Sequence, residues 1–433
     1  MTDSTAASQV VLLTKLPGTS ESPPSLPSGT VSLFADNNWA NSRLDLNIDD
    51  FGPGSRQTLK SYMLDQATYV AFNLPIGTVM TLMDNIQPVQ DGKSVADLSN
   101  CGRCVDLVGT GNTESLNLES VNMNDCISSF FWRTVDLNMG AIEMFDDVDF
   151  NGGRTTIFLS EWNSGQIYPV NNWWLQDKVS SIRWKSLNDR QKATLFDNSD
   201  GTGNEYDNIK GWGNIKEIAN LGDDATFNDQ MSSFRWDGIT PEKEIIAPFN
   251  IVLGNVSSSS GLTSVISGTN SSSLAQPVTV TLTNSDAQTL TITTLDQQVQ
   301  GITSTQTLSE SAGVPGEDSA STTWAIALSY TYTQSTTKTT TETTTIALAI
   351  SQTVNAPPET SYTATLLVNI GKIPPKIYKT TAQRWYKVAV TGGMVDPSNN
   401  NLYLRVEPVS VSITGSLASS TTVNIVSTPL TKS

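Results

Sequence analysis

The feature that most constrains this chain is a string that recurs four times in its first half. DQATYVAF begins at Asp65, DCISSFFW at Asp125, DKVSSIRW at Asp177 and DQMSSFRW at Asp229. Each has an Asp, a hydroxyl residue three positions on and an aromatic seven on. Four upstream strings keep step with them: SLFADN ending at Asn37, TLMDN at Asn85, EMFDD at Asp147 and TLFDN at Asn198. The interval is 31 residues from Phe34 to Asp65, 32 from Phe145 to Asp177 and 33 from Phe196 to Asp229. In the second copy it is 42, from Met83 to Asp125, and the extra length holds Cys101 and Cys104. A repeat of this period predicts one supersecondary unit copied four times. Short alternating runs between Gly, Asn and Asp turns make that unit all-β.

The repeat stops short of Ile245, and the alphabet changes there. Through Asn250 the chain has 33 acidic and 17 basic residues; beyond it, 9 and 8. Two such different halves predict separate cores, with Thr240 to Pro248 as the joint. An acidic first half suits solubility or cation binding. No basic patch offers a footprint for nucleic acid. The chain has no histidine, which removes the commonest general base and the usual zinc ligand. With no phosphate loop or nucleophile elbow either, no catalytic set emerges and an enzyme is not expected. Cys101-Gly-Arg-Cys104 and Cys126 supply three thiols, one short of a tetrahedral zinc site. They read as a local disulfide or free thiols. The Ser/Pro-rich stretch 1–30 has neither the basic start nor the apolar run of a signal peptide, and reads as a flexible segment.

After Phe249 the pattern is strand. Val278, Val280 and Leu282 alternate with threonines, as do Leu290 and Ile292. The same period runs through Trp324, Ile326, Leu328, Tyr330 and Tyr332, through Ile346, Leu348 and Ile350, and through Tyr362, Ala364, Leu366 and Val368. Period-two alternation over such lengths predicts long antiparallel strands. Between Ser335 and Thr345 every residue is Ser or Thr except Lys338 and Glu342. Such strands hold their register weakly, as a solvated edge does or as strands that re-pair elsewhere do.

In the first half the residues resemble the βγ-crystallin Greek-key motif: aromatic, four residues, aromatic, one residue, Gly. Phe145, Phe150 and Gly152 fit it fully. Phe34 and Trp39 fit with Asn41 in place of Gly, and Phe196 and Gly203 fit with Gly201 in the aromatic place. Met83 and Pro88 make the second copy degenerate. The family's calcium signature, two Asn/Asp, two residues, Ser/Thr, Ser, is matched by Asn124-Asp125…Ser128-Ser129 and Asn228-Asp229…Ser232-Ser233. Gln176-Asp177…Ser180-Ser181 and Leu64-Asp65…Thr68-Tyr69 match it in part. The resemblance implies two crystallin-like domains, 31–138 and 139–240. It implies Ca2+ ligands at Asp65, Thr68, Asp125, Ser128, Asp177, Ser180, Asp229 and Ser232, with the Asp and the hydroxyl of one motif serving different ions. Asp-x-x-Ser serves equally as a turn or cap without metal. No organic cofactor is implied. Asp197 to Gly201 looks EF-hand-like but lacks the later acidic ligands, so it reads as a hairpin turn.

The second half, 241–433, resembles the aerolysin-type β-pore-forming proteins, and members of that family fused to βγ-crystallin domains share the order seen here. The likeness lies in sequence order: a polar strand from Thr289 to Thr307, the turn Ser311-Ala-Gly-Val-Pro315, a strand opening on Trp324, a Thr-rich strand, then the break at Pro357-Pro358. It implies an elongated antiparallel module after the two Greek-key domains, in an all-β chain. It also implies a soluble protein that acts extracellularly or at membranes. There it would assemble as a homo-oligomer on a target-cell membrane, with a glycan or protein receptor or a second subunit as further partners. The expected hairpin runs from Thr293 to Thr333, with its tip between Leu308 and Ala320 and the neighbouring candidates Gly313, Pro315 and Trp324. Leu308 and Val314 are expected to meet lipid, and Glu310 and Glu317 to line the lumen. A second candidate hairpin is Thr322 to Val354. The competing functional expectations are a non-lytic calcium-binding stress or storage protein, and a lectin-like module using Trp162, Trp173 and Trp174.

Overall fold

The computed structural model describes residues 4–37, 39–40, 42–86, 95–247, 261–294, 303–312, 322–331 and 340–431. The chain divides into two compact units, Met1–Ile239 and Thr240–Ser433. It is all-β: the strands are antiparallel, and the described α-helices are Ser4–Leu12 and Leu221–Ala225. Among the described residues no helix is long and apolar enough to cross a membrane.

The first unit holds four four-stranded sheets built on one plan. In the first repeat Thr30–Phe34 lies between Arg43–Asn47 and Tyr69–Asn73. The third repeat places Ala141–Phe145 between Arg154–Phe158 and Ser181–Arg183 in the same way. The fourth strand thus returns beside the first, which is the Greek-key connection. Each repeat sends its short third strand to the sister sheet. Gln57–Thr58 pairs with Ser129–Thr134 of the second repeat, and Glu114–Asn117 pairs back with Tyr69–Asn73. Tyr168–Pro169 and Glu217–Ile218 make the same exchange in the other pair. Two repeats therefore close over one core, and neither buries its apolar face alone.

The central strands Thr30–Phe34 and Ala141–Phe145 are buried along their whole length. Val31, Leu33, Val70, Phe72, Leu82 and Leu107 belong to one core, and Ile142, Ile182, Trp184, Leu195, Phe234 and Trp236 to the other. Buried indoles need a partner for their N–H. Trp184 Nε1 donates to the Lys210 carbonyl at 2.9 Å and Trp236 Nε1 to that of Trp162 at 2.8 Å.

Two backbone bends repeat with the sequence. The four motif aspartates all take the left-handed conformation, with φ of 52° at Asp65, Asp125 and Asp177 and 55° at Asp229. Asp and Asn tolerate that region better than other side chains. The aromatic position bends likewise, with φ of 59° at Trp39 and 63° at Phe150. Gly201, in the aromatic place of the fourth repeat, has φ 78°, so glycine meets there the backbone demand the aromatics meet under strain. Gly152 and Gly203 have no room for a side chain: a Cβ would sit 2.1 Å from Asp146 Oδ1 and 1.9 Å from Asp197 Oδ1.

Two segments differ from expectation. The stretch read as flexible carries the helix Ser4–Leu12 and is tied down after it: Thr14 N donates to Glu143 Oε1 at 3.0 Å, and Asn117 N to the Pro17 carbonyl at 3.0 Å. The described part of the second repeat's extra length is bonded to the third repeat. Ser99 Oγ donates to the Asn171 carbonyl at 2.9 Å, Asn100 N to that of Asn172 at 2.9 Å, and Trp173 Nε1 to Asp97 Oδ1 at 3.1 Å. Nearby, buried Arg133 of the second repeat pairs with Glu161 of the third at 2.6 Å.

In the second unit the sheet is built on two strands of 27 and 31 residues, Thr360–Tyr386 and Asn399–Pro429. At about 3.3 Å per residue the longer spans roughly 100 Å. Gln276–Thr294 joins the Asn399–Pro429 strand, and Thr340–Ala356 joins Gln276–Thr294. Leu262–Asn270 and Lys243–Ile246 share the outer edge of Thr360–Tyr386. The stretch read as a joint thus already contributes a strand to the second unit's sheet. Val280, Leu282, Ala364, Leu366 and Val368 make one core cluster of the sheet. At Pro357-Pro358 the chain turns, and Asn270 Nδ2 holds the turn by donating to the carbonyls of Ala356 at 3.1 Å and Pro357 at 2.9 Å.

Candidate functional site

Two places carry functional chemistry, and they lie in different units. In the first unit the motif residues of paired repeats meet crosswise. Asp65 N donates to the Ile127 carbonyl at 3.1 Å and Asp125 N to that of Ala67 at 3.0 Å. Asp177 and Asp229 do the same with Met231 at 2.9 Å and Val179 at 3.2 Å. This local two-fold arrangement brings three of the four hydroxyls to the other repeat's carboxylate. Ser128 Oγ donates to Asp65 Oδ1 at 2.6 Å, Ser232 Oγ to Asp177 Oδ1 at 2.8 Å and Ser180 Oγ to Asp229 Oδ1 at 3.3 Å. Thr68 departs from the pattern and donates to the Ala35 carbonyl at 3.2 Å. The following serines donate to carbonyls of the upstream turns: Ser129 to Asn85, Ser181 to Asp147 and Ser233 to Asn198.

Three of the loops, at Asp65, Asp177 and Asp229, therefore gather a carboxylate and a hydroxyl of the paired repeat, with backbone carbonyls nearby. These are all hard oxygens, the donor type Ca2+ takes. Among the described residues no group of three His, Cys, Asp or Glu side chains gathers as a metal site. An ion here would lean on one carboxylate with neutral oxygens, so the donor set fits calcium in kind and provides little charge. At the EF-hand-like string, Asp197 Oδ1 accepts from Asn204 N at 2.8 Å, closing a hairpin turn.

The three cysteines are free thiols, with Cys101 and Cys104 buried. A hydrogen bond from Cys104 holds the Cys101 thiol below its usual range, and Arg56 Nη1, 2.6 Å from its sulfur, pulls the same way. That hydrogen bond and burial push Cys104 well up. Of the candidate sugar-stacking aromatics, Trp162 and Trp173 are core residues. Half-buried Trp174 is covered by the Lys178 ammonium 3.5 Å from its ring.

In the second unit Thr303–Ala312 and Thr322–Thr331 form a two-stranded sheet of their own. Their ladder is unbroken from Thr303 opposite Thr331 to Ala312 opposite Thr322. Of the alternative hairpin, Thr322 to Val354, the described strand Thr340–Ala356 pairs with Gln276–Thr294. Gly313, Val314, Pro315 and Glu317 lie outside the described residues.

The ladder corrects one expectation. Positions two apart on a regular strand share a face, so Leu308 and Glu310 cannot meet lipid and lumen respectively. Glu310 stands opposite Trp324 and Leu308 opposite Ile326. One face of the hairpin thus carries Leu308, Trp324, Ile326, Leu328 and Tyr330, with Ser304, Gln306 and Glu310. The other carries only Thr, Ser and Ala, at 303, 305, 307, 309 and 311 and at 323, 325, 327, 329 and 331.

No family model matches the chain, and no curated protein matches it significantly. Solved structures are similar at low TM-score. A non-toxic crystal protein from Bacillus thuringiensis is 14% identical, covering 45% of this chain and 86% of that one at a TM-score of 0.25. The Mpp75Aa1.1 β-pore-forming protein from Brevibacillus laterosporus is 12% identical, covering 43% and 69% at 0.25. A structure of the eye-lens βγ-crystallin domain fold is 20% identical, covering 23% and 87% at 0.18. At these scores the fold rests on the strand pairing described above.

Proposed function

We propose that this chain is a pore-forming β-protein. In this reading it assembles as a homo-oligomer on a target membrane and contributes the hairpin Thr303–Thr331 to a shared transmembrane barrel. The observation that supports it is a ten-rung ladder with one face that carries Leu308, Trp324, Ile326, Leu328 and Tyr330 beside Ser304, Gln306 and Glu310, and one face of hydroxyls and alanine. A strand of about 9–11 residues crosses the hydrocarbon when tilted, and a barrel strand alternates lipid-facing and lumen-facing positions. Lipid leaves no exposed backbone group satisfied, so the strands must close into a ring. Known single-chain barrels begin at about 8 strands, so two strands per protomer require roughly four protomers or more.

Trp324 and Tyr330 then belong to the lipid face, near its two ends, where aromatic girdles form. Glu310 sits on that face beside the tip, where it can emerge into water with the turn. The lumen wall along the ladder is neutral. The Greek-key unit serves targeting or regulation, with calcium at Asp65/Ser128, Asp177/Ser232 and Asp229/Ser180 as the ion that stiffens its loops.

Two neighbouring positions test this, because they lie on opposite faces at mid-ladder. Arg on the lipid face costs about 2–4 kcal/mol per strand at the bilayer midplane, repeated around the ring. Ile326→Arg should therefore abolish dye release from liposomes while leaving ring assembly on the membrane intact. Ala327→Arg should still release dye, with channels shifted towards anions. Equal leakage from Ile326→Arg and wild type would remove the assignment. Wild-type protein that releases no dye from liposomes or red cells, with or without calcium and protease, would remove the function.

A further inference from the structure

Beneath the N-terminal helix lies a cavity of about 500 Å³ in the first unit. Small-molecule sites run from about 300 to 1,000 Å³. Its roof is the helix and the residues after it, among them Val10 and Leu13; its floor includes Phe72, Ile76 and Val108. The polar end holds Arg154, whose side chain is almost wholly buried. The guanidinium is fixed on one side: Nη1 donates to the Thr14 carbonyl at 2.9 Å and faces Glu143 at 3.4 Å, and Nη2 donates to the Asp106 carbonyl at 3.1 Å. Among the described residues its Nε is buried without a hydrogen-bond partner. The Glu143 carboxylate is held in turn by the amide and hydroxyl of Thr14, at 3.0 Å each to its nearest oxygen.

Both halves of this arrangement point to a ligand. A buried N–H donor that pairs with nothing calls for an explanation. The rest of the lining mixes the apolar roof and floor residues with Lys15, Thr110, Asn112, Glu114 and Thr156, so the space suits a ligand with an apolar body and a polar end. A molecule with a long apolar body and one oxygen acceptor at its end would satisfy both.

We infer that this cavity binds a single acyl chain whose terminal carbonyl or carboxylate oxygen accepts a hydrogen bond from Arg154 Nε. The chain lies between the helix and the floor residues. The ligand bridges the helix to the domain below, so binding holds the N-terminal segment in place. The site stands on the first unit alone, so its test is independent of leakage.

The test is titration of the full chain with the fluorescent fatty acid cis-parinaric acid. One saturable site is expected, with affinity weakened at least tenfold in Val108→Trp, which fills the cavity, while far-ultraviolet circular dichroism is unchanged. Ile76→Trp fills the same space from another strand connection and replaces Val108→Trp if that variant does not fold. Oleate displacing the probe assigns the site to free fatty acid; phosphatidylcholine vesicles displacing it assign it to an acyl ester drawn from a membrane. No saturable binding, binding unaltered in the folded variants, or a probe displaced by neither competitor overturns the inference.

Discussion

The two units hold their strands in place by different means. In the first, paired repeats share cores that include fully buried Trp184, Trp236, Phe158 and Phe234. Every sheet carries a strand from its sister repeat, so a slip in one repeat breaks two sheets. In the second unit one cluster joins Val280 and Leu282 to Ala364, Leu366 and Val368, and Ala382, Tyr386 and Ile413 are buried further along the strands of 27 and 31 residues. Much of that length is held by backbone ladders, which any suitable strand can replace, and by polar side chains. Thr279 faces Thr353 across the ladder at 2.9 Å and Thr281 faces Ser351 at 2.8 Å. Repacking the first unit means tearing a core; re-pairing strands of the second means exchanging hydrogen bonds. The proposed function draws on that contrast.

The largest expected effect comes from breaking the first unit's core. Trp236→Ala removes a buried indole and its hydrogen bond to Trp162. Truncating a buried aromatic of this size costs about 3–5 kcal/mol. Denaturant titration followed by tryptophan fluorescence should show the first unit melting early. Far-ultraviolet circular dichroism should retain the strand signal of the second unit until its own transition. A single merged transition in both proteins would mean that the two units do not unfold separately.

The second unit should be most sensitive at a polar site. Arg384 and Glu407 are buried and paired at 2.5 Å, and Arg405 approaches the other Glu407 oxygen at 2.6 Å. Tyr386 donates to the same oxygen. Arg384 and Arg405 face each other across the two longest strands, so this cluster pins their register. Removing one partner of a buried pair costs about 3–5 kcal/mol, because the other charge stays buried. Glu407→Gln should destabilise the second unit by the lower part of that range, since an amide still accepts one hydrogen bond. An effect below about 1 kcal/mol, as for exposed pairs, would leave the register to the ladders alone.

How much of this could be read beforehand depended on whether the signal was local. The Asp-x-x-Ser string marks the left-handed bends of Asp65, Asp125, Asp177 and Asp229 because both the bend and its hydroxyl lie within four residues. Alternation at Val280, Leu282, Leu366 and Val368 is local in the same sense and marks one core cluster of the second unit. Strand exchange was not legible, since Gln57–Thr58 and Tyr168–Pro169 are two residues long and their partners lie about 70 residues away. The N-terminal segment was misread for the same reason: Glu143 and Arg154, which hold Thr14, lie 129 and 140 residues on. The hairpin was expected from Thr293, whereas Thr293 and Thr294 end the strand that pairs with Thr340–Ala356, and Leu308 and Glu310 were split between faces. There the parity of the alternation was itself in the sequence and was not followed through.

A smaller effect is expected at the crosswise loops. Asp65→Ala loses the Ser128 hydrogen bond and leaves an alanine at φ 52°. Such a left-handed residue costs about 1–2 kcal/mol, and the hydrogen bond adds about 1 kcal/mol. Asp65→Asn keeps the bend and an acceptor, so it should fall by less than half as much. If calcium binds here, a ligand at 100 times its Kd stabilises the fold by about 2.7 kcal/mol. Calcium should then raise the first unit's melting temperature in wild type and raise it less in Asp65→Ala. No shift at millimolar calcium would leave these loops as turns without metal.

The smallest effect tests whether acidity acts on the first unit through its half-buried carboxylates. Asp146 accepts from Gly153 N at 2.6 Å and from Trp174 Nε1 at 3.2 Å. Burial nevertheless raises its carboxyl above the ordinary value, against the pull of those two bonds. A raised carboxyl binds its proton more tightly in the folded chain than in the unfolded one, so its contribution is greatest in acid. That contribution is lost as pH rises from about 4 through the raised value. Asp146→Asn cannot titrate. Its stability relative to wild type should therefore improve between pH 3 and pH 7, whatever the constant cost of giving up one acceptor oxygen. The change should appear in the first unit's transition and leave the second unit's unmoved. A difference that is flat with pH, or that runs the other way, would show that the hydrogen bonds from Gly153 and Trp174 outweigh burial at this site.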